Sequence, residues 1–112
     1  MQRNQKICKL IEEFSLFILE NHSNNLNIDV KEIENKTVVK FTTDLMNDEL
    51  LDFVKSNIKP ERLLEVEEYG WELMGEGSSD DDLPLVGNLI DNMEIENNDD
   101  KTIITMYRYE KY

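Results

Sequence analysis

The spacing of apolar residues changes abruptly near position 24, and that change limits the folds open to this chain. Ile7, Leu10, Ile11, Phe14, Phe17 and Ile18 recur at intervals of three and four, which places them on one face of a helix. The helix is expected over about residues 4–22, where Ser23-Asn24-Asn25 interrupts it with turn-forming residues. Leu26, Ile28 and Val30 then alternate with Asn27, Asp29 and Lys31, the period of a half-buried strand. Glu34-Asn35-Lys36 reads as a turn, and Thr37-Val38-Val39-Lys40-Phe41 as the returning strand.

The second half repeats the order. Leu50, Leu51, Val54 and Ile58 mark a second amphipathic helix that ends before Pro60, with Asp44 as the expected cap ahead of it. Leu63, Leu64, Val66 and Trp71 give 61–74 a helical pattern, broken by Gly75-Glu76-Gly77-Ser78-Ser79. A third helix is expected after Asp82, carrying Leu85, Leu89, Ile90 and Met93, with Pro84 in its first turn. Ile95 leads into a strand, Asn97-Asn98-Asp99-Asp100 turns the chain, and Lys101 to Tyr109 alternates as the last strand. Helix, hairpin, helices, hairpin is the order of an α+β fold: a two-layer sandwich with helices on one face of a mostly antiparallel sheet. The length suits one domain over 1–112, with 62–82 as an acidic, lid-like segment.

Charge narrows the function. The 25 acids and 12 bases leave a net charge of −13. Leu63 to Asp100 holds 13 of the acids and no Lys or Arg, so the remaining residues balance at 12 of each. Such a chain is ill suited to phosphate backbones or anionic membrane surfaces. It has no apolar run of the roughly 18 residues a membrane span needs and no signal-peptide core after Met1. The expectation is a cytoplasmic protein that binds neither nucleic acid nor membrane. Cys8 stands alone, which excludes an internal disulfide and a cysteine metal site, and its apolar neighbours suggest a buried thiol. His22 has no second ligand near it and reads as a helix-end residue, so no metal site is expected. Tyr107, Tyr109 and Tyr112 suggest packing or an interface along the last strand.

Two stretches together resemble a known family. Ile11-Glu12-Glu13 on a helix, with the hairpin closing on Thr37-Val38-Val39-Lys40-Phe41, is similar to the bacterial anti-sigma-factor serine kinases. These belong to the GHKL superfamily of histidine-kinase-like ATPases. The stretch LPLVGNLIDNMEIENNDDKTIITMYR resembles that family's end, and the element order matches over most of residues 7 to 109. The resemblance implies a GHKL-like fold, with Glu13 as general base and Asp44, Gly75 and Gly77 at the nucleotide. It implies ATP and magnesium as cofactors only if that site is intact.

The departures fall on the nucleotide chemistry. The family's magnesium-holding Asn, four residues after the Glu, is Phe17 here, and an aromatic ring cannot replace a hard oxygen ligand. Asp44 is displaced by about one residue from the adenine-reading position, and Leu45-Met46-Asn47 supplies no glycine after it. Asp80, Asp81 and Asp82 stand where a glycine-rich loop would cradle phosphates at a helix start. A pair of like unit charges about 5 Å apart costs roughly 3 kcal/mol at an effective dielectric near 20. The reading is therefore a regulatory, protein-binding module with a degenerate nucleotide site, more a non-enzyme than an enzyme. Glu72, Glu76, Asp80, Asp81 and Asp82 would form its surface for a basic partner or a transcription regulator. The alternatives are an active serine kinase or ATPase of the same family, and an acidic decoy of a nucleic-acid-binding protein. The family also carries a strand and a helix ahead of the first helix seen here, so an uncovered sheet edge and a homodimer are expected.

Overall fold

The computed structural model describes residues 2–63, 67, 68 and 83–110. Within them the chain runs α1 (Arg3–Asn21), β1 (Leu26–Ile33), β2 (Lys36–Asp44), α2 (Asp48–Asn57), α3 (Leu83–Gly87), β3 (Asn92–Asn98) and β4 (Lys101–Tyr109). The α+β class holds: three helices among the described residues, and a four-stranded antiparallel sheet in the order β1-β2-β4-β3.

Local chemistry accounts for most of the ends. At the start of α1 the Gln5 side chain accepts the Gln2 backbone N–H at 2.9 Å. At its close the Ile18 carbonyl takes both the His22 and Ser23 N–H groups. Asn47 Oδ1 accepts the Leu50 N–H at 2.8 Å, so Asn47, and not Asp44, caps α2. Asp48 and Glu49 in its first turn and Lys55 in its last complement the helix dipole. Asp44 instead closes β2. Each hairpin has a two-residue connection, and its first residue, Glu34 (φ 56°) or Asp99 (φ 57°), takes the left-handed backbone that tight hairpins demand.

Two expectations change. The third helix stops at Gly87, and Met93 belongs to β3, directly opposite Met106. Position 87 requires glycine, because a Cβ there would lie 2.6 Å from the Lys59 carbonyl oxygen. The chain after α2 runs hard against this helix, with Glu61 N–H bonded to Gly87 O at 2.9 Å. Leu89 and Ile90 reach the core from the turn that follows. Cys8 is exposed, because it lies off the face defined by Ile7, Leu10, Phe14 and Phe17.

The core joins α1 to the middle of the sheet. Val39 and Phe41 of β2 stand opposite Met106 and Ile104 of β4, and all four are buried. Phe14 meets Phe41 edge-on at 4.8 Å. Each such side chain contributes roughly 1.5–3 kcal/mol by leaving water. Leu51, Val54 and Ile58 of α2 and its exit, with Leu83 and Val86 of α3, complete the same cluster.

The alternation that buries Thr102, Ile104 and Met106 also buries Arg108, which is 1% exposed. Its Nη1 donates to Leu89 O at 2.5 Å and to Glu67 Oε2 at 3.3 Å, and its Nε to Glu110 Oε2 at 3.2 Å. Arg62 holds the other side of Glu67 at 2.6 Å and reaches Asp91 at 2.8 Å. Thr37 donates to Glu110 at 2.7 Å and accepts from Arg3 at 2.8 Å, while Lys6 lies 3.6 Å from Glu67. A buried charge is tolerated only with such partners.

Arg108→Ala should destabilise the protein by about 3 kcal/mol, because it strips Glu67 and Glu110 of their shared cation; urea unfolding would measure this. Gly87→Ala should cost about 1–3 kcal/mol through the contact with Lys59 backbone, read in the same way.

Candidate functional site

The residues singled out by the resemblance divide between two places and the undescribed stretch. Glu13 sits near the middle of the sheet-packed helix α1, well past its first turn, so dipole complementation does not account for it. It is 3% exposed and lies 3.1 Å from Lys9 Nζ, one turn earlier. Lys9 also reaches Glu12 at 3.1 Å. Burial pushes the Lys9 pKa down, but the bonds to Glu12 and Glu13 outweigh it and the pKa is raised. Phe17, at the family's Asn position, is a core ring stacked 6.0 Å from Phe14 and 5.8 Å from Phe53.

Asp44 anchors a separate cluster. Its Oδ2 accepts from Ser23 Oγ at 2.5 Å and Asn25 Nδ2 at 3.0 Å, and its Oδ1 lies 3.3 Å from Lys101 Nζ. The hydrogen bond from Ser23, then those from Asn25 and Lys101, hold its pKa down at about 2. The Asp44 carbonyl accepts from His22 Nε2 at 2.7 Å. These contacts tie the end of α1 and the turn after it to the end of β2. Glu13 and Asp44 are thus each held by partners of their own.

Beside this cluster an open cleft of about 730 Å³ lies between the end of α1 and one side of α2. Asn21, His22, Asn47, Leu50, Phe53 and Asn57 line it, together with Glu49, Asp52 and Ser56. Its charged walls are two carboxylates, which favour a cationic or hydrogen-bonding occupant over a phosphate.

Glu72, Gly75, Glu76, Gly77, Asp80, Asp81 and Asp82 lie outside the described residues, and so does most of the lid-like segment 62–82. Its described members Arg62 and Glu67 belong to the buried network around Arg108. On the sheet face turned away from the core, Asp29, Glu94 and Glu96 stand among Lys31, Lys36 and Lys40. Tyr107, also on that face, donates to Glu94 at 2.6 Å and has Lys36 over its ring. Neither the network nor the cleft was singled out from the sequence. Alternation along β4 was the available signal for Arg108; no local signal announces the cleft, which forms only where α1 and α2 meet. Among the described residues no helix is long and apolar enough to cross a membrane.

No family model matches the chain, and neither a curated protein nor a solved structure matches it.

The Asp44 cluster gives a signed pH dependence. A carboxylate held below its ordinary value of about 3.9 stabilises the fold above that pH and loses the contribution as pH falls toward 2. Ser23→Ala should raise the Asp44 pKa toward the ordinary range, as followed by NMR titration of the side-chain carboxyl carbon. A titration curve unchanged by the substitution would show that Ser23 does not hold the carboxylate.

Proposed function

We propose that this chain is a two-layer domain of GHKL type whose nucleotide site is degenerate, and that it works as a regulatory, protein-binding module. The carrying observation is that the described residues assigned to nucleotide by the resemblance are engaged in the scaffold. Glu13 is buried against Lys9, Phe17 is packed among aromatic rings, and Asp44 is bonded to Ser23, Asn25 and Lys101. Freeing Asp44 for an adenine would break the contacts that join the end of α1 to β2. The carboxylates at Glu72, Glu76 and Asp80 to Asp82 serve as the docking surface in this reading, and a basic protein or transcription regulator is the partner.

The second reading is an active ATP-dependent serine kinase or ATPase. The cleft between α1 and α2, at about 730 Å³, lies within the roughly 300–1,000 Å³ of small-molecule sites, but its Glu49 and Asp52 walls oppose a triphosphate. An acidic decoy would call for regularly spaced carboxylates on a single face, whereas the described outer face of the sheet mixes both signs.

Calorimetry separates the first two readings. Titration with ATP and magnesium should give no binding up to about 1 mM nucleotide. Micromolar binding that Glu13→Ala abolishes would overturn the degenerate-site reading. Affinity capture followed by mass spectrometry should return a basic protein, lost as salt is raised.

A further inference from the structure

Strand β1 is the outermost strand of the sheet, and among the described residues nothing pairs with its outer side. Its register puts Ile28 and Val30 opposite Phe41 and Val39, on the core side, yet they are 40% and 47% exposed. Among the described residues this strip of apolar surface stays open next to an open backbone edge, a combination that proteins with no partner there tend to avoid.

The parity of the sheet defines which backbone groups are free. Ile33 and Lys36 flank a two-residue connection and so form a hydrogen-bonded pair. Alternation then turns Lys31, Asp29 and Asn27 toward β2, and leaves the N–H and C=O groups of Leu26, Ile28, Val30 and Glu32 directed outward. The far side of β2 agrees: Asn35 O accepts from Glu110 and Leu45 N–H donates to Asp100, so its odd-numbered residues face β4.

We infer that β1 pairs with β1 of a second copy of this chain, antiparallel, with the two-fold axis at Val30. Three registers join outward-directed groups near the strand centre. An axis at Asp29 sets Asp29 against Asp29 of the other copy, and an axis at Lys31 sets Lys31 against Lys31. The axis at Val30 sets Asp29 opposite Lys31 twice, pairs Val30 with its equivalent, and stands each Ile28 opposite Glu32 of the other copy and diagonal to the Val30 pair. Charge complementarity thus selects one register. The contact is isologous, so it closes as a dimer with a continuous eight-stranded sheet.

The opposite edge lacks this property. In β3 the outward-directed residues are Met93, Ile95 and Asn97, since Asn98 and Lys101 flank a two-residue connection and form a hydrogen-bonded pair. An axis at Ile95 sets Glu94 against Glu96 twice, and an axis at Glu94 or Glu96 sets that residue against its own copy. Repulsion therefore blocks β3 from self-pairing where β1 is complementary.

Sedimentation equilibrium of the full chain from the micromolar range to about 1 mM tests this directly. Wild type should dimerise. Asp29→Lys and Lys31→Asp each replace two attractive cross-strand pairs by repulsive ones and should weaken the dimer at least about tenfold. Both side chains are exposed, so circular dichroism should show each variant folded. An equimolar mixture of the two variants should form a heterodimer, and the double variant should recover the homodimer, because both arrangements restore opposite charges. A wild-type monomer across the whole range, or a dimer indifferent to Asp29→Lys, would overturn the inference.

Discussion

A fully buried guanidinium holds this fold in one arrangement. Arg108 is always charged, so it can lie in the interior only if carboxylates and a carbonyl arrive with it. Those partners come from distant parts of the chain: Glu67 after α2, Leu89 O after α3, and Glu110 beyond β4. Arg62, Arg3 and Thr37 then satisfy the remaining oxygens. A packing that moved Glu67, Glu110 or the Leu89 carbonyl away would leave a buried charge without its partners. The apolar core supplies most of the driving force, and the network restricts which arrangement that force can select.

The same logic governs the opposite end of the central strands. There Asp44 gathers Ser23, Asn25 and Lys101, Thr43 donates to Asn25 O, and Thr102 accepts the Met46 N–H. The sheet is therefore tied by polar contacts at both ends, with Val39, Phe41, Ile104 and Met106 between them. In the proposed reading this arrangement bears on function, because Asp44, which the resemblance assigns to the adenine, is in use by the scaffold. It also explains why β1 stands apart. Beyond its pairing with β2 it receives the Arg3 contact to Glu32, and its core-side Ile28 and Val30 remain open.

Much of the fold was legible in local periodicity. The three-and-four spacing from Ile7 to Ile18 gave α1, and the alternation around Val30, Val39 and Ile104 gave three of the strands. Leu85, Leu89, Ile90 and Met93 fit a helical face, yet Met93 pairs with Met106 in β3 and the helix ends at Gly87, which lies against Lys59. That contact joins residues 28 apart and has no local signature. Asp44 reads as a cap because it is a short acidic residue just ahead of a helix; Asn47, immediately before Asp48, has the capping geometry.

By itself the sequence determined the class of fold, the element order, and the face of β4 on which Arg108 lies. Those follow from helical and strand periods, which depend only on backbone geometry. The tertiary structure alone decided what Arg108 and Asp44 do. An ion pair forms only when the chain brings both groups within about 4 Å, and Glu67 lies 41 residues from Arg108, as Ser23 lies 21 from Asp44. A charged residue's position is written locally; its partner is set by how the chain returns.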